Sequence, residues 1–141
     1  MGAYAPIEVG VEAYIVRDGK LLLGKRKNIY GHGTWALPGG RIEFMERARD
    51  AIVREVKEEL GIGLTRDGAT LLAVTDDPSA SEKTHHLHMT FGVNIGTRRP
   101  KLMEPQACEG WDWFPLKFLP EPLFAPHAKI LRTIESGQIY I

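Results

Sequence analysis

The sequence predicts an α/β domain, on three observations. Two β-rich runs open the chain at residues 11–17 and 20–26, and the most regular alternation of apolar and polar residues falls at 87–95. Between these runs lies one amphipathic, acidic helix within residues 40–62. With 141 residues, 43% of them hydrophobic, the chain has the size of one domain around a single core, so we expect one domain over residues 1–141.

The charge balance argues against large anionic partners. Lysine plus arginine and aspartate plus glutamate both number 18, so no net field draws the chain to a nucleic acid polymer or to a membrane. Any phosphate must therefore be bound by local groups. Cys108 is the single cysteine and cannot form an internal disulfide, and residues 1–14 lack the basic and apolar regions of a secretory signal. We expect a cytoplasmic protein.

The first element is a predicted hairpin. Asp18-Gly19 joins the two opening runs and suits a two-residue type I′ turn. The second strand ends at Arg26, just before the loop at 28–34. A guanidinium binds phosphate oxygens in a bidentate manner, so Arg26 is our candidate phosphate contact. The alternative is that Arg26 is simply a solvated strand end.

A glycine pair precedes the helix. Residues 35–37 form a short predicted strand that Pro38 ends, and Gly39-Gly40 follow at once. We expect a tight turn there, whose backbone carbonyls take part in no strand ladder.

The helix carries two different faces. Its apolar stripe, with residues four apart, consists of Ala48, Ile52, Val56 and Leu60. A neighbouring arc carries Glu55, Glu58 and Glu59, because spacings of three and four return to one face at about 100° per residue. Like charges so placed repel, and a divalent cation would remove that penalty. Carboxylates are preferred ligands of Mg²⁺ and Mn²⁺. The alternative is an ordinary solvated helix whose glutamates pair with Arg and Lys.

The whole string from Gly40 to Ile62 resembles the Nudix box, with every defining position occupied. The resemblance implies the Nudix fold, an α/β/α sandwich with a mixed β-sheet, and a Mg²⁺-dependent pyrophosphohydrolase activity, with Mn²⁺ as a substitute. It also implies site roles. The implied metal ligands are the Gly39 carbonyl, Glu55, Glu58 and Glu59. Arg54 would orient the neighbouring glutamates by ion pairing.

Hydrolysis of a phosphoanhydride also needs a group that deprotonates or orients water. A carboxylate not fully committed to metal can act as that base. Glu58 is one candidate, and Glu109 is another because of its position ahead of the last predicted strand. Glu104 is the third candidate. Spacing does not choose among the three.

The second half of the chain is read as strands, loops and one helix. We expect residues 76–81 to form a mobile loop and His86 and His88 to lie on the polar face of the strand at 87–95, without a histidine metal site. A last strand is predicted at 109–114 and a closing helix at 127–136.

Three segments beyond the box, at residues 103–105, 108–113 and 119–124, resemble those of a narrower group, the MutT-like nucleoside triphosphate diphosphatases of plants and vertebrates. Such enzymes release a nucleoside monophosphate and pyrophosphate from ordinary or oxidised (d)NTPs, and many are homodimers. The base pocket would comprise Leu37 and Phe124, with backbone groups around Ala125 reading the base edge. The alternative for Phe124 is packing under the last helix.

Two other functions stay open. Pro78 lies close to where the ADP-ribose subgroup of the family carries a proline, so the substrate can instead be ADP-ribose or another nucleoside diphosphate linked to a second group. The third hypothesis is a non-catalytic nucleotide sensor on the same fold. The intact Glu55, Glu58 and Glu59 argue against a sensor.

Overall fold

The computed structural model describes residues 5–141, so residues 1–4 of the expected domain lie outside the described residues. The strands are β1 Glu8–Tyr14, β2 Val16–Arg17, β3 Lys20–Arg26, β4 Trp35–Ala36, β5 Gly39–Arg41, β6 Thr70–Ser79, β7 Thr84–Gly92 and β8 Cys108–Pro115. The helices are α1 Ala48–Leu60 and α2 Ala125–Glu135, with a short 3₁₀ turn at Arg66–Gly68.

Two sheets form the middle layer. The first has the strand order β5-β1-β7-β6 and is mixed, because β1 and β7 are parallel while the other two pairs are antiparallel. In the second sheet β3 pairs antiparallel with β2, β4 and β8. Helices cover the sheets from both sides, as two separate apolar clusters show. The expected α/β fold with a mixed sheet is therefore confirmed.

The alternation of side chains along β3 shows how the layers are held. Leu22 packs into the cluster that contains the inner face of α1, whereas Leu21 and Leu23 pack with Ile130 of α2. Successive strand residues point to opposite faces, so a continuous apolar run indicates a strand buried on both faces. Each fully buried leucine contributes about 1.5–3 kcal/mol. The strand at the centre of the second sheet thus joins both helices to one core.

The opening hairpin forms as expected, over a shorter stretch. Asp18 and Gly19 both have positive φ, 52° and 74°, as a type I′ turn requires. The run at 11–17 is not one strand, however: β1 belongs to the first sheet and β2 to the second. The chain changes sheets at the buried Ile15.

Three other expectations need correction. Gly39-Gly40 is not a turn but part of β5, which pairs with β1 at the sheet edge. Residues 76–79 are not a loop, because β6 continues through them and pairs with β7, leaving the turn at 80–83. The strand expected to run to Ile95 ends at Gly92. In the first two cases cross-strand pairing outweighs the local preference of glycine, proline and aspartate for turns.

The ends of the helices agree with the sequence. Gly61 caps α1 in the left-handed conformation, with φ 69°, and its N–H donates to the Lys57 carbonyl. Over residues 5–141, no helix is long and apolar enough to cross a membrane.

Candidate functional site

One cavity of about 790 Å³ opens between the two sheets and α2. It collects most of the residues that the sequence singled out, although these are far apart in the chain. The residues predicted for the site that line it are Arg26, Leu37, Gly39, Glu59, Phe124 and Ala125, and Glu104 joins them. A second, shallower depression on the other side of β5 is lined by Arg54, Glu55 and Glu58.

Gly39 links the sheet edge to the helix. The Ala13 N–H donates to the Pro38 carbonyl and the Ile42 N–H to the Val9 carbonyl, so the ladder uses alternate residues and the peptide groups of Gly39 face away from β1. The Gly39 N–H donates to Oε2 of Glu59 at 2.7 Å. The Gly39 carbonyl is therefore outside the ladder although no turn is present. A Cβ here would lie 2.1 Å from the Val11 carbonyl oxygen, so only glycine fits.

Gly40 makes room for the second helix carboxylate. A Cβ at residue 40 would lie 2.3 Å from Oε1 of Glu55, so the missing side chain forms the recess that this carboxylate occupies. The Glu55 side chain is only 12% exposed. Glu55 and Glu59 therefore lie side by side under β5, one helical turn apart.

Arg54 holds several carboxylates at once. Its Nε and Nη2 donate to the two oxygens of Glu46 at 2.8 and 2.9 Å, and its Nη1 donates to Glu55 at 2.9 Å and to Glu58 at 3.2 Å. A further bond from Nη2 reaches the Arg41 carbonyl at 3.0 Å. The guanidinium thus ties the helix carboxylates to β5, which is the geometry that a positioning role requires.

Glu46 is the partner that the sequence reading missed. It receives the two-pronged bond from Arg54, which lowers the pKa of Glu46. Its spacing of eight residues from Arg54 is the signal that could have found it, since that spacing returns to the same helix face or its N-terminal extension.

The two carboxyl groups under β5, those of Glu55 and Glu59, have pKa values above the ordinary range of glutamate. Burial, with the nearby charges of Glu55 and Glu104, raises the pKa of Glu59 to about 8. Burial also raises the pKa of Glu55, with smaller contributions from Glu58 and Glu104. Carboxylates that lie close together and are partly buried form a group that a cation would stabilise.

The donor set fits a hard divalent cation. The Gly39 carbonyl and the carboxylates of Glu55, Glu58 and Glu59 offer only oxygen atoms, which suit Mg²⁺ or Mn²⁺ rather than a softer metal. Glu58 lies at the outer edge, with its side chain 49% exposed and both carboxylate oxygens bonded to Nη1 of Arg54. These residues are the ones that would hold the ion.

The other end of the cavity combines a cation with aromatic rings. The Arg26 guanidinium lies 4.1 Å from the centroid of the Phe124 ring, and its Nε donates to the Tyr30 carbonyl at 2.7 Å. The Tyr30 ring meets the Phe124 ring edge to face at 5.6 Å. Phe124 is 9% exposed, so it both packs beside α2 and lines the cavity, which combines the two alternatives raised for it.

The three candidates for the base lie in different places. Glu104 lines the large cavity and Glu58 the shallow depression. Glu109 lines neither of these two spaces; it is 48% exposed and pairs with Lys25 at 3.5 Å. Only Glu104 therefore shares the large cavity with Glu59.

A buried polar network forms the floor of the large cavity, and the sequence reading missed it. Glu12, His88 and His127 are 3%, 7% and 6% exposed. His88 lies between two carboxylates, with Nδ1 hydrogen-bonded to Glu12 and Nε2 at 3.4 Å from Asp77. His88 lies on the polar face of β7 as expected, but that face is buried here, because Glu12, Asp77 and the His127 ring surround the imidazole.

The protonation of the network follows from its partners. Although burial opposes it, the bonds and charges of Glu12 and Asp77 raise the pKa of His88 and so favour its protonated form. Burial raises the pKa of Glu12. His127 accepts the Leu37 N–H at Nδ1 over 3.0 Å, and burial lowers its pKa well below the ordinary value, so it is neutral with its proton on Nε2.

These three side chains lie close enough together to suggest a metal site, with ligand atoms within 4.8 Å of one another. Their hydrogen bonds argue otherwise. Both nitrogens of His88 face carboxylates, and Nε2 of His127 carries a proton, so neither imidazole presents a lone pair. The signal in the sequence is Glu12 itself, a charged residue inside the otherwise apolar run of β1.

Comparisons with known proteins give a consistent result. The sequence pattern of the NUDIX domain matches residues 6–134. An ADP-ribose pyrophosphatase from Methanocaldococcus jannaschii is 35% identical over 124 residues, which cover 88% of this chain and 70% of that protein. A CTP pyrophosphohydrolase from Escherichia coli is 50% identical over 60 residues, 42% of this chain and 44% of that protein.

A solved structure agrees over nearly the whole length. The MutT NUDIX hydrolase from Burkholderia pseudomallei matches with a TM-score of 0.85 at 38% identity, covering 92% of this chain and 99% of that one.

Proposed function

The chain belongs to the NUDIX domain family, and on that premise we propose that it hydrolyses nucleoside triphosphates to a nucleoside monophosphate and pyrophosphate. The observation that carries the proposal is the shared cavity. One end holds Arg26 against Phe124, suited to a nucleotide, and the other holds Gly39 and Glu59, suited to a cation. A nucleotide bound between them would extend its phosphates from Arg26 towards the carboxylates.

The reaction makes one bond and breaks one. A water oxygen bonds to phosphorus, the bridging P–O bond breaks, and the bridging oxygen leaves with pyrophosphate or with the nucleoside monophosphate, depending on which phosphorus is attacked. The water proton passes to a carboxylate. We propose Glu58, Glu109 or Glu104 for that base, and the position of Glu104 in the large cavity favours it. When bound, Mg²⁺ supplies charge neutralisation for the phosphates.

The chain's own groups do the positioning. Glu59 accepts the Gly39 N–H and so fixes its own orientation, while Arg54 fixes Glu55 and Glu58. Arg26 offers its remaining guanidinium nitrogens to phosphate oxygens, because Nε is already used by the Tyr30 carbonyl. Leu37, Phe124 and the backbone at Ala125 would contact the base.

We propose further properties that the same reading implies. The chain acts as a single domain over residues 1–141, as a cytoplasmic homodimer, with a small nucleotide rather than a nucleic acid polymer or a membrane as its partner. The narrower kinship with diphosphatases of plants and vertebrates is supported by the C-terminal segments alone, since the relatives reported above are archaeal and bacterial.

A second candidate substrate is ADP-ribose, or another nucleoside diphosphate linked to a second group. Two observations favour it. Pro78 lines the large cavity from β6, and the archaeal relative that aligns with 88% of this chain is named an ADP-ribose pyrophosphatase. The name of the Escherichia coli relative, a CTP pyrophosphohydrolase, supports triphosphates instead.

A substrate panel separates the candidates. Pyrophosphate and phosphate release is measured with Mg²⁺ on the common (d)NTPs, 8-oxo-dGTP, ADP-ribose and dinucleoside polyphosphates. Pyrophosphate from triphosphates alone supports the primary proposal, and turnover of ADP-ribose alone replaces it with the second. Binding of nucleotides without any turnover would reject both in favour of the non-catalytic sensor.

A further inference from the structure

The floor of the large cavity presents a hydrogen-bond donor beside an acceptor. His127 Nε2–H has no hydrogen-bond partner within the described residues, and Glu12 Oε1 lies 3.8 Å from it, beyond hydrogen-bond distance. The other Glu12 oxygen, Oε2, is buried and also lacks a hydrogen bond of normal geometry there, although Thr90 is close enough to stabilise the carboxylate. Both side chains line the cavity.

Burial of these polar groups lowers the free energy of unfolding of the protein. A buried carboxyl group with an unsatisfied oxygen, placed where an apolar side chain would pack, costs free energy that the bond to His88 only partly offsets. Val11 and Ala13, the neighbours of Glu12 on β1, point to the opposite face and form ordinary core. The polar floor is therefore local, and it lies where the cavity can receive a ligand.

The floor lies between the two ends of the cavity. Glu12 is the register partner of Gly39 across the β1–β5 ladder, and the His127 ring lies 4.9 Å from the Phe124 ring. The Leu37 N–H, bonded to His127 Nδ1, fixes the imidazole with its donor directed away from β4. A planar ligand that reached past Phe124 would therefore meet the donor and the acceptor with its edge.

We propose that Glu12 and His127 read the edge of a nucleobase, with Glu12 accepting from a base N–H and His127 donating to the adjacent carbonyl oxygen or ring nitrogen. This inference rests on the proposed function, since it names the base-reading groups of the same site. It assigns to side chains of β1 and α2 the recognition that the sequence reading gave to the backbone around Ala125. A ligand without such an edge, such as a bare sugar phosphate, leaves both groups unpaired.

Binding without turnover tests this. Calorimetry in EDTA measures the affinity of GMP, AMP, CMP and UMP, with ribose 5-phosphate as the probe that lacks a base. We expect at least one nucleotide to bind the wild type roughly 10-fold or more tightly than ribose 5-phosphate, because unpaired buried groups penalise the base-free ligand. Glu12→Gln should remove roughly 10-fold of that preference and leave ribose 5-phosphate unchanged.

A control and a second measurement complete the test. Glu82→Gln changes an exposed carboxylate at the cavity rim and should bind every probe like the wild type. If Glu12→Gln fails to fold, ¹⁵N spectra of the wild-type histidines decide, since the preferred nucleotide should shift His127 Nε2–H and ribose 5-phosphate should not. Equal affinities in wild type and Glu12→Gln, an unshifted His127, or stoichiometric zinc bound to Glu12 and the histidines would overturn the proposal.

The two proposals fail in different ways. Nucleotide binding that depends on Glu12, without hydrolysis in the substrate panel, would reject the proposed function and keep the base reader. Hydrolysis with the same KM and kcat in wild type and Glu12→Gln across all bases would keep the function and reject the reader.

Discussion

Gly40 leaves no space for a side chain against Glu55: a Cβ at residue 40 would lie 2.3 Å from Oε1 and 2.4 Å from Cδ of that carboxylate. Gly40→Ala must therefore displace Glu55 from its recess and from its bond with Arg54. We expect a loss of about 1–3 kcal/mol in the free energy of unfolding and at least a 10-fold fall in kcat.

The matched control for Gly40→Ala is Gly63→Ala, where a Cβ meets nothing within 4 Å. Its free energy of unfolding should change by less than about 0.5 kcal/mol, with activity unchanged. Urea unfolding and steady-state kinetics measure both variants. Wild-type activity in Gly40→Ala would show that the recess does not position Glu55.

Arg54 should not be replaceable by lysine. One lysine ammonium cannot reproduce the two-pronged bond to Glu46 together with the bonds to Glu55 and Glu58. We expect Arg54→Lys to lower kcat roughly 10- to 100-fold and to raise the Mg²⁺ concentration for half-maximal activity.

The comparison for Arg54 is Arg66→Lys, which alters a half-exposed guanidinium that lies 3.7 Å from Asp50. Because exposed pairs contribute little, that variant should keep wild-type kinetics. If Arg54→Lys matched it in activity and in Mg²⁺ dependence, Arg54 would have no positioning role.

The base candidates can be ranked by amide substitution. Glu104 shares the large cavity with Glu59, whereas Glu58 lines the shallow depression and Glu109 pairs with Lys25. We expect Glu104→Gln to lower kcat roughly 100-fold or more, and the same change at Glu109 to lower it less than about 3-fold. A pH–rate profile for each variant shows which substitution removes the basic limb. A large loss at Glu109 with none at Glu104 would reverse the ranking.

His127 should make stability depend on pH. Burial, with the charges of His88 and Arg26, lowers its pKa well below the ordinary value of about 6.5. Below about pH 6.5 the unfolded chain therefore binds a proton that native His127 does not, so the contribution of His127 to the free energy of unfolding falls as the pH drops, by up to about 1.4 kcal/mol per pH unit. Above about pH 6.5 its contribution is complete.

Urea unfolding between pH 5 and 7.5 measures this dependence. His127→Asn, whose amide oxygen can still accept the Leu37 N–H, should show a shallower decline below about pH 6.5. His88 has a raised pKa, so well below about pH 6.5 it is protonated in both the folded and the unfolded chain and adds no slope there. His85→Asn, at an exposed position on β7, should keep the wild-type slope. Identical slopes in all three proteins would contradict the neutral, buried state of His127.

The structural features that depend on local sequence patterns could be predicted from the sequence. The spacing of Glu55 and Glu59, the apolar stripe of α1 and the Gly61 cap are each set within a few residues, and each is confirmed. The hairpin at Asp18-Gly19 is equally local, because positive φ at two successive positions is a property of the turn itself.

What the sequence did not determine depends on contacts between distant segments. Gly39-Gly40 becomes a strand because β1 pairs with it, and His88 becomes buried because side chains of β1, β6 and α2 surround it. Nothing local to His88 indicates that Glu12, 76 positions earlier, will bind it. The base-reading floor could therefore be recognised only once the fold had brought β1, β7 and α2 together.

The most direct measurement of the central claim is pyrophosphate release from nucleoside triphosphates by wild type and Glu59→Gln as Mg²⁺ is titrated from zero. Because burial raises the pKa of Glu59 to about 8, the neutral amide should leave the melting temperature unchanged or higher. The account predicts Mg²⁺-dependent release by the wild type and roughly a 100-fold or greater loss in the folded variant. Full release by Glu59→Gln, or by the wild type in EDTA, would contradict it.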